Sequence, residues 1–397
     1  MKHAKAFLLI VASVGLTFAL NTKIGVIPPL GKFLDPHGGF WQNAEFKGES
    51  RQLDLSSLDL ELPASVILDE RSVPHIFAGN DRDLYYVQGY LTAKDRLWQM
   101  EFQTHAAAGR ISEIVGKKAI GFDKEQRRIG MVTSAQKALD EFAADSVCVN
   151  VVQAYTDGIN DYIKTIDRTN LPFEYRMLDY SPEPWTPLKC SLLLKYMAKM
   201  LNGTERDFEN TALLELLGRG LFDELYPEQN LLSNPVIEPP YSSFNLDTIE
   251  KTDEGLISFG PLPDPGIRPP KNIGSNNWAV SGARTKSGNP ILASDPHLKL
   301  SLPSIWYEVQ LNAPGINCYG VSLPGAPGIT IGFNEKVAWG VTNAGQDVKD
   351  HYRIQFKDET KTEYRVGDDW ISSTYRVDTI RVRGTDDVLD TIVETRY

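Results

Sequence analysis

Cysteine is scarce in this 397-residue sequence: Cys148, Cys190 and Cys318 lie far apart and form no CxxC pair. That argues against a thiolate zinc site and leaves room for one disulfide at most. Basic charge is also in deficit, with 41 Lys+Arg against 52 Asp+Glu and a net charge of -11. Phosphate binding needs a basic face, so nucleic acid is not an expected partner. The short chemical signatures are missing as well: there is no HExxH, no GxxxxGK[ST], no EF-hand loop and no GxGxxG after a strand. "GVSLP" (Gly320–Pro324) approaches a nucleophile elbow, but Pro324 stands where the second glycine belongs and no helix start follows. An α/β-hydrolase is therefore excluded, and Ser322 reads as a strand or loop residue. No organic cofactor is expected.

What is present is an ordinary globular composition, 42% apolar and 23% charged, long enough for about two or three domains. Lys2 and Lys5 precede an apolar run, Ala6–Leu20, interrupted only by Ser13, Gly15 and Thr17. Fifteen residues fit a secretory h-region better than a spanning helix, which needs about 20. Residues 1–22 thus read as an export signal, with a buried core helix as the competing reading. The exit "FALN" has no clean small-x-small cleavage site, so the segment is either removed or kept as a membrane anchor. A periplasmic or otherwise exported protein is expected.

Residues 22–62, with Pro28, Pro29 and Pro36, are expected to wrap over the surface. "ASVILDERSVPHIFAGN" (Ala64–Asn80) predicts two short strands about a turn at residues 70–72. From Asp83 to about Ala108, Leu84, Val87, Leu91, Trp98, Phe102 and Ala106 recur on one face of an amphipathic helix that Gly109 ends. Further helices are expected over 131–144, 146–163, 188–201 and 207–217, the last stopped by Gly218 and Gly220. Prolines 235, 239, 240, 261, 263, 265, 269 and 270 then mark a linker or covering loop. After it the pattern turns to short strands: "NWAVSG", "PILASD", "IWYEVQLN", "CYGVSL", "VAWGVT" and "HYRIQF". The fold class is α+β, a mainly helical half followed by a β-rich one.

Gly274-Ser275 lies at that seam. Taken alone, Gly-Ser between a loop and a strand is most simply a turn. A second reading is chemical. A serine needs a base within hydrogen-bond reach, and its own α-amine, with a pKa of about 7.7–8.0, is one if the preceding peptide is cut.

Three stretches give that reading weight. "VPHIFAGNDRDLYYVQGYLTAKDRLWQMEFQTHAAAGRISEIVG" (73–116) resembles the opening of the penicillin acylase family. So do "GSNNWAVSGARTKSGNPILASDPHLKLSLPSIWYEVQL" (274–311) and "GFNEKVAWGVTNAGQDVKDHY" (332–352), in the family's order. The resemblance implies an N-terminal-nucleophile hydrolase, an αββα sandwich preceded by a helical region, made as one precursor that cuts itself into α and β chains. It implies a signal or anchor at 1–22, an α-chain region at 23–244, a spacer at 245–274 and a nucleophile region at 275–397. The family's nucleophile region is longer, so the sandwich is expected to be incomplete in this sequence.

Residue by residue, the resemblance makes Ser275 the nucleophile, with its freed α-amine as base. His297 of "DPHL" falls where penicillin-preferring members tend to have Gln and where cephalosporin and acyl-homoserine-lactone acylases have His; its implied role is to orient or polarise the nucleophile. Asn343 of "WGVTNAG" matches a backbone N–H of the oxyanion hole. Met200, Leu201, Leu298 and Ile331 match acyl-pocket positions, although plain core is the alternative for each. Asp207, Asp347 and Asp350 match a Ca²⁺ site, with solvated surface carboxylates as the alternative; oxygen ligands suit that hard cation. The implied reaction is hydrolysis of amides of small N-acylated compounds, β-lactams or acyl-homoserine lactones. A non-catalytic relative that binds acylated ligands is the competing function.

Overall fold

The computed structural model describes residues 2–22, 29–35, 39, 52–167, 171–202, 206–227, 274–343 and 351–395. Helices α1 (Lys2–Asn21) and α2 (Gly31–Leu34) come first, then strands β1 (Ala64–Leu68) and β2 (Pro74–Ala78). A helical run follows: α3 (Asp81–Ala108), α4 (Ser112–Val115), α5 (Ile120–Ile129), α6 (Met131–Phe142), α7 (Ser146–Thr165), α8 (Phe173–Leu178), α9 (Pro187–Leu201) and α10 (Asp207–Leu225). Beyond residue 273 the described elements are strands with one short 3₁₀ turn: β3 (Gly274–Val280), β4 (Ile291–His297), β5 (Tyr307–Ala313), β6 (Ile316–Ser322), β7 (Ile331–Phe333) and β8 (Ala338–Trp339). They continue with β9 (Glu363–Val366), β10 (Asp369–Ser372), β11 (Thr374–Ile380) and β12 (Val388–Glu394). The α+β class and its helix-then-strand order stand as expected.

Two compact units divide the chain. The larger takes residues 1–199, 272–343 and 374–396, and the smaller takes 200–271, 344–373 and 397. In the larger unit a six-stranded sheet runs β1-β2-β5-β6-β7-β8. Its β2–β5 pair is parallel and the others are antiparallel. Strands from before and after the seam therefore share one sheet. The β3–β4 and β11–β12 pairs form separate antiparallel ribbons; in the smaller unit β9 pairs with β10.

α3 is the axis of the larger unit. Asn80 caps it by accepting from the Asp83 N–H at 2.7 Å, and Gly109 ends it in the left-handed region at φ 65. The sequence points to one apolar face, but the helix is buried on two sides. Leu84, Val87 and Leu91 pack with Val66, Ile76, Val309 and Leu311 of the sheet. Ala93, Leu97 and Met100 pack with Tyr155 and Ile159 of α7. Each Leu, Val, Ile or Met side chain among these contributes about 1.5–3 kcal/mol by leaving water. The α3–α7 crossing is close enough to exclude a methyl group: a Cβ on Gly89 would lie 2.1 Å from the Tyr155 carbonyl oxygen, and one on Gly158 1.9 Å from that of Tyr86.

Three local expectations are corrected. The 22–62 segment does not only cover the surface: Leu55 is buried in the sheet core, and Leu53, Leu58 and Leu60 pack against it. Gly218 does not stop α10. It kinks the helix at φ 71, and the helix resumes to Leu225, because one left-handed residue breaks the ladder without preventing the next turn. "HYRIQF" is not a strand; Phe356 makes only an isolated bridge to Tyr364. At the N-terminus α1 is longer than its apolar run. His3–Asn21 has a mean hydropathy of 1.8 with none of it buried, and by length and composition it can cross a membrane.

Candidate active site

The site grows from the β3–β4 ribbon. Gly274 pairs with His297, Ser275 with Pro296 and Asn276 with Asp295. Side chains alternate across a strand, so His297, Asp295 and Asn276 share one face while Ser275 projects from the other. Ser275 is half-buried, and its hydroxyl donates to the Gly274 carbonyl oxygen at 2.6 Å. The nucleophile candidate thus lies against the carbonyl of the peptide that self-cleavage would break.

His297 completes this corner. Its Nε2 lies 2.9 Å from Asp295 Oδ2 and 3.4 Å from the Asn276 side-chain nitrogen. Its Nδ1 is on the Gly274 side, 3.8 Å from where a Cβ on that glycine would sit. Leu298 follows it, half-buried, with its N–H on the Pro296 carbonyl at 3.0 Å.

Asn343 is exposed, four residues beyond β8. The chain leading to it passes tightly over the ribbon: a Cβ on Gly340 would meet Ser294 Cβ and Oγ at 2.5 Å and Asn277 Nδ2 at 2.7 Å. Asn277 and Ser294 are a register pair on the Ser275 face. Three residues span about 10 Å at most, so the peptide of Asn343 is tethered close to that face.

Ile331 opens β7, half-buried. Its neighbours Ile329 and Thr330 line an apolar cavity of about 550 Å³ with Phe142, Val147, Val152 and Leu194. This lining was not legible from the sequence, because the α6–α7 corner is far from Ile331 along the chain. Met200 and Leu201 belong to the smaller unit, where they end α9, both exposed. Asp207 opens α10 in the same unit. Asp347 and Asp350 lie outside the described residues. Ser322 is buried in β6, its hydroxyl donating to the Tyr307 carbonyl at 3.3 Å.

A second polar cluster was missed by sequence reasoning. Glu101 and His105 of α3 meet Glu183 with their ligand-capable atoms within 4.8 Å of one another. Arg110 forks both Glu183, at 2.6 and 3.0 Å, and Glu113, at 2.6 and 2.9 Å. Lys189 Nζ stands 3.7 Å from Glu101 and 3.5 Å from Glu183. Burial raises the Glu101 pKa and lowers that of Lys189. The His105 ring, 3.8 Å away, and the hydrogen-bonded Arg110 fork hold Glu183 well below the usual carboxylate range. The two cations already occupy the carboxylates, so a divalent ion would be repelled there. The cluster fastens the Glu183 loop to α3.

Residues 63–397 match the Penicillin amidase family. The chain belongs to that family. An N-terminal-nucleophile hydrolase fold follows from the membership, and the α+β content agrees with it. Among its relatives, the Penicillin acylase 2 proenzyme of Pseudomonas sp. (strain SE83) is 31% identical over 86% of this chain and 44% of its own length. The acyl-homoserine lactone acylase QuiP of Pseudomonas aeruginosa is 30% identical over 82% of this chain and 38% of its own. The chain thus spans less than half the length of either relative. The solved thermostable penicillin G acylase from Alcaligenes faecalis, in its tetragonal form, aligns at 27% identity and a TM-score of 0.40, over 45% of this chain and 98% of that one.

Proposed function

We propose that this chain carries the nucleophile of an exported acylase precursor that cuts itself between Gly274 and Ser275 and then hydrolyses amides of small N-acylated compounds. The observation that carries the reading is the Ser275 hydroxyl, 2.6 Å from the Gly274 carbonyl oxygen, in a family whose relatives are acylases and include one named a proenzyme. In the first step Ser275 Oγ attacks the Gly274 carbonyl carbon, and the acyl group moves from nitrogen to oxygen. Water then hydrolyses the ester and leaves Ser275 as a free N-terminus. Its α-amine, with a pKa of about 7.7–8.0, is about 10–20% deprotonated at pH 7 and serves as the base for each later turnover. The substrate acyl group passes to Ser275 Oγ and then to water.

The Asn343 N–H is the proposed backbone donor to the oxyanion, which the close approach of Gly340 to the Ser275 face supports. Leu298 and Ile331, with Met200 and Leu201, are the proposed acyl contacts. β-Lactams and acyl-homoserine lactones are the two substrate classes that the relatives' names suggest. Asp207, Asp347 and Asp350 are the proposed Ca²⁺ ligands, and α1 is the proposed export signal or anchor. The full-length protein with Ser275→Ala should remain one uncut chain on a gel, while the wild type yields a fragment whose N-terminal sequence begins at Ser275. Cleavage that persists in Ser275→Ala would refute the assignment.

A further inference from the structure

Two of the acyl contacts stand on separate sheets. Leu298 follows the last residue of the β3–β4 ribbon, which among the described residues pairs only with itself, and Ile331 opens β7 of the six-stranded sheet. No strand ladder sets the distance between them. We propose that Arg96 and Gln99 of α3 are positioning residues that fix this distance and thereby set which acyl chain lengths the site accepts; this rests on the acylase reading proposed above.

What the two segments share is α3. Gln88, fully buried, holds Gly328 by both backbone groups: its side-chain nitrogen donates to the Gly328 carbonyl at 3.1 Å, and its oxygen accepts the Gly328 N–H at 3.0 Å. Gly328 lies just ahead of Ile331 in the chain, so Gln88 anchors that contact. On the other side, Arg96 Nη1 and Gln99 Nε2 both donate to the Ser304 carbonyl, each at 2.9 Å. Arg96 Nη1 also donates to Gln99 Oε1 at 3.2 Å, which aligns the pair. Gln88 and Gln99 lie three turns apart on one face of the helix, about 16 Å along its axis. One buried helix thus spaces both anchors.

The arm between Leu298 and Ser304 has little else to hold it. Residues 299–303 are all exposed, with Leu300 at 97% and Leu302 at 99%, and the Ser301 hydroxyl bonds within the arm, to the Pro303 carbonyl at 3.0 Å. Gly340 steadies the ribbon at Asn277 and Ser294, short of its Leu298 end, so that end can pivot about the Gly340 contact when Ser304 is released. Beyond Ser304, Ile305 and Trp306 pack on Leu193, Leu323 and Ala326, which keeps β5 seated whatever the arm does. A gap of fixed width discriminates acyl chains by single methylenes; a gap that varies accepts neighbouring lengths alike. Gly274 and Ser275 lie within one strand of the ribbon and move together, so self-cleavage is indifferent to the pivot.

Arg96 and Gln99 are half-buried, and methionine keeps the length of either stem, so the Arg96→Met, Gln99→Met double variant should fold. The full-length protein is assayed on straight-chain acyl p-nitroanilides, butyryl to octanoyl, by release of p-nitroaniline. Wild type should discriminate chains one methylene apart by about tenfold or more in kcat/KM. The double variant should compress that ratio to within about threefold, through KM, while cutting at Gly274–Ser275 at the wild-type rate. Arg96→Lys, which still offers an N–H to Ser304, should keep the wild-type profile. A purely structural role would lower kcat/KM for every chain length alike. That uniform loss, an unchanged ratio or a wild type that does not discriminate would each overturn the proposal. The clamp is also read without substrate, by the rate of tryptic cleavage after Lys299 in a Ser275→Ala background. The double variant should be cut about threefold faster or more, and an equal rate overturns the clamp. Failure of the acylase reading looks different: the wild type does not cut at Gly274–Ser275 and releases no p-nitroaniline from any of the anilides.

Discussion

Gly158→Ala separates helix propensity from packing, because the two effects have opposite signs. In an unobstructed helix the substitution stabilises by about 1 kcal/mol. Here the added methyl would lie 1.9 Å from the Tyr86 carbonyl oxygen, 2.8 Å from its carbon and 3.0 Å from the Tyr90 nitrogen. A carbon–oxygen contact needs about 3.3 Å, so α3 and α7 must part by more than an ångström. A gap of that size forfeits about half or more of each dispersion contact it opens, and the crossing sits over the buried cluster of Leu97, Tyr155 and Ile159. Overpacking costs about 1–3 kcal/mol or more, which leaves a net destabilisation of roughly 0–2 kcal/mol or more. Gly89→Ala should behave alike, since its methyl would meet the Tyr155 carbonyl oxygen at 2.1 Å. The double variant should lose less than the sum, because one separation of the helices relieves both clashes. Urea unfolding followed by far-UV circular dichroism, with Ser275→Ala as common background, measures all three. A stabilised Gly158→Ala, or a strictly additive double variant, would refute the close-crossing argument.

Two further outcomes are expected. Glu183, held low by His105 and Arg110, contributes stability that is present above the ordinary glutamate pKa of about 4.3 and is lost as pH falls through its lowered folded value. Acid unfolding of Glu183→Gln should therefore depend less on pH below about 4.5 than that of wild type, and an unchanged acid limb would remove Glu183 from the account. For the proposed Ca²⁺ site, EGTA should lower the melting temperature of the full-length protein and should have no effect on Asp207→Ala; a wild type indifferent to EGTA would rule the ion out.

Much of the architecture was legible because it rests on local chemistry. Asn80 and Gly109 carry the cap signals of α3 in their own side chains and backbone freedom, and the alternation in "IWYEVQLN" matches β5. The second buried side of α3 was not legible, since it depends on α7, and no period in the α3 sequence announces that partner. Leu53, Leu55, Leu58 and Leu60 were passed over because irregular segments lack a period to read. The site divides in the same way. Motif resemblance pointed to Ser275 and His297. Their placement on opposite faces of one ribbon came only with the register, because a shift of one residue would put them on the same face. Glu101, Glu183 and Lys189 gave no signal at all: a buried charge is recognisable only from its partners.

The parallel β2–β5 pair has a consequence for a protein cut at the seam. One strand would end up on each product, joined in the same sheet through His75–Gln310, Ile76–Leu311 and Phe77–Asn312. Native, the two fragments would stay together without a covalent link. Once unfolded, they would have to find each other in solution, and recovery would depend on concentration where the uncut chain needs only to close a loop. Cleavage would thus turn a protein that refolds into one that merely persists, with its lifetime set by the barrier to unfolding rather than by an equilibrium.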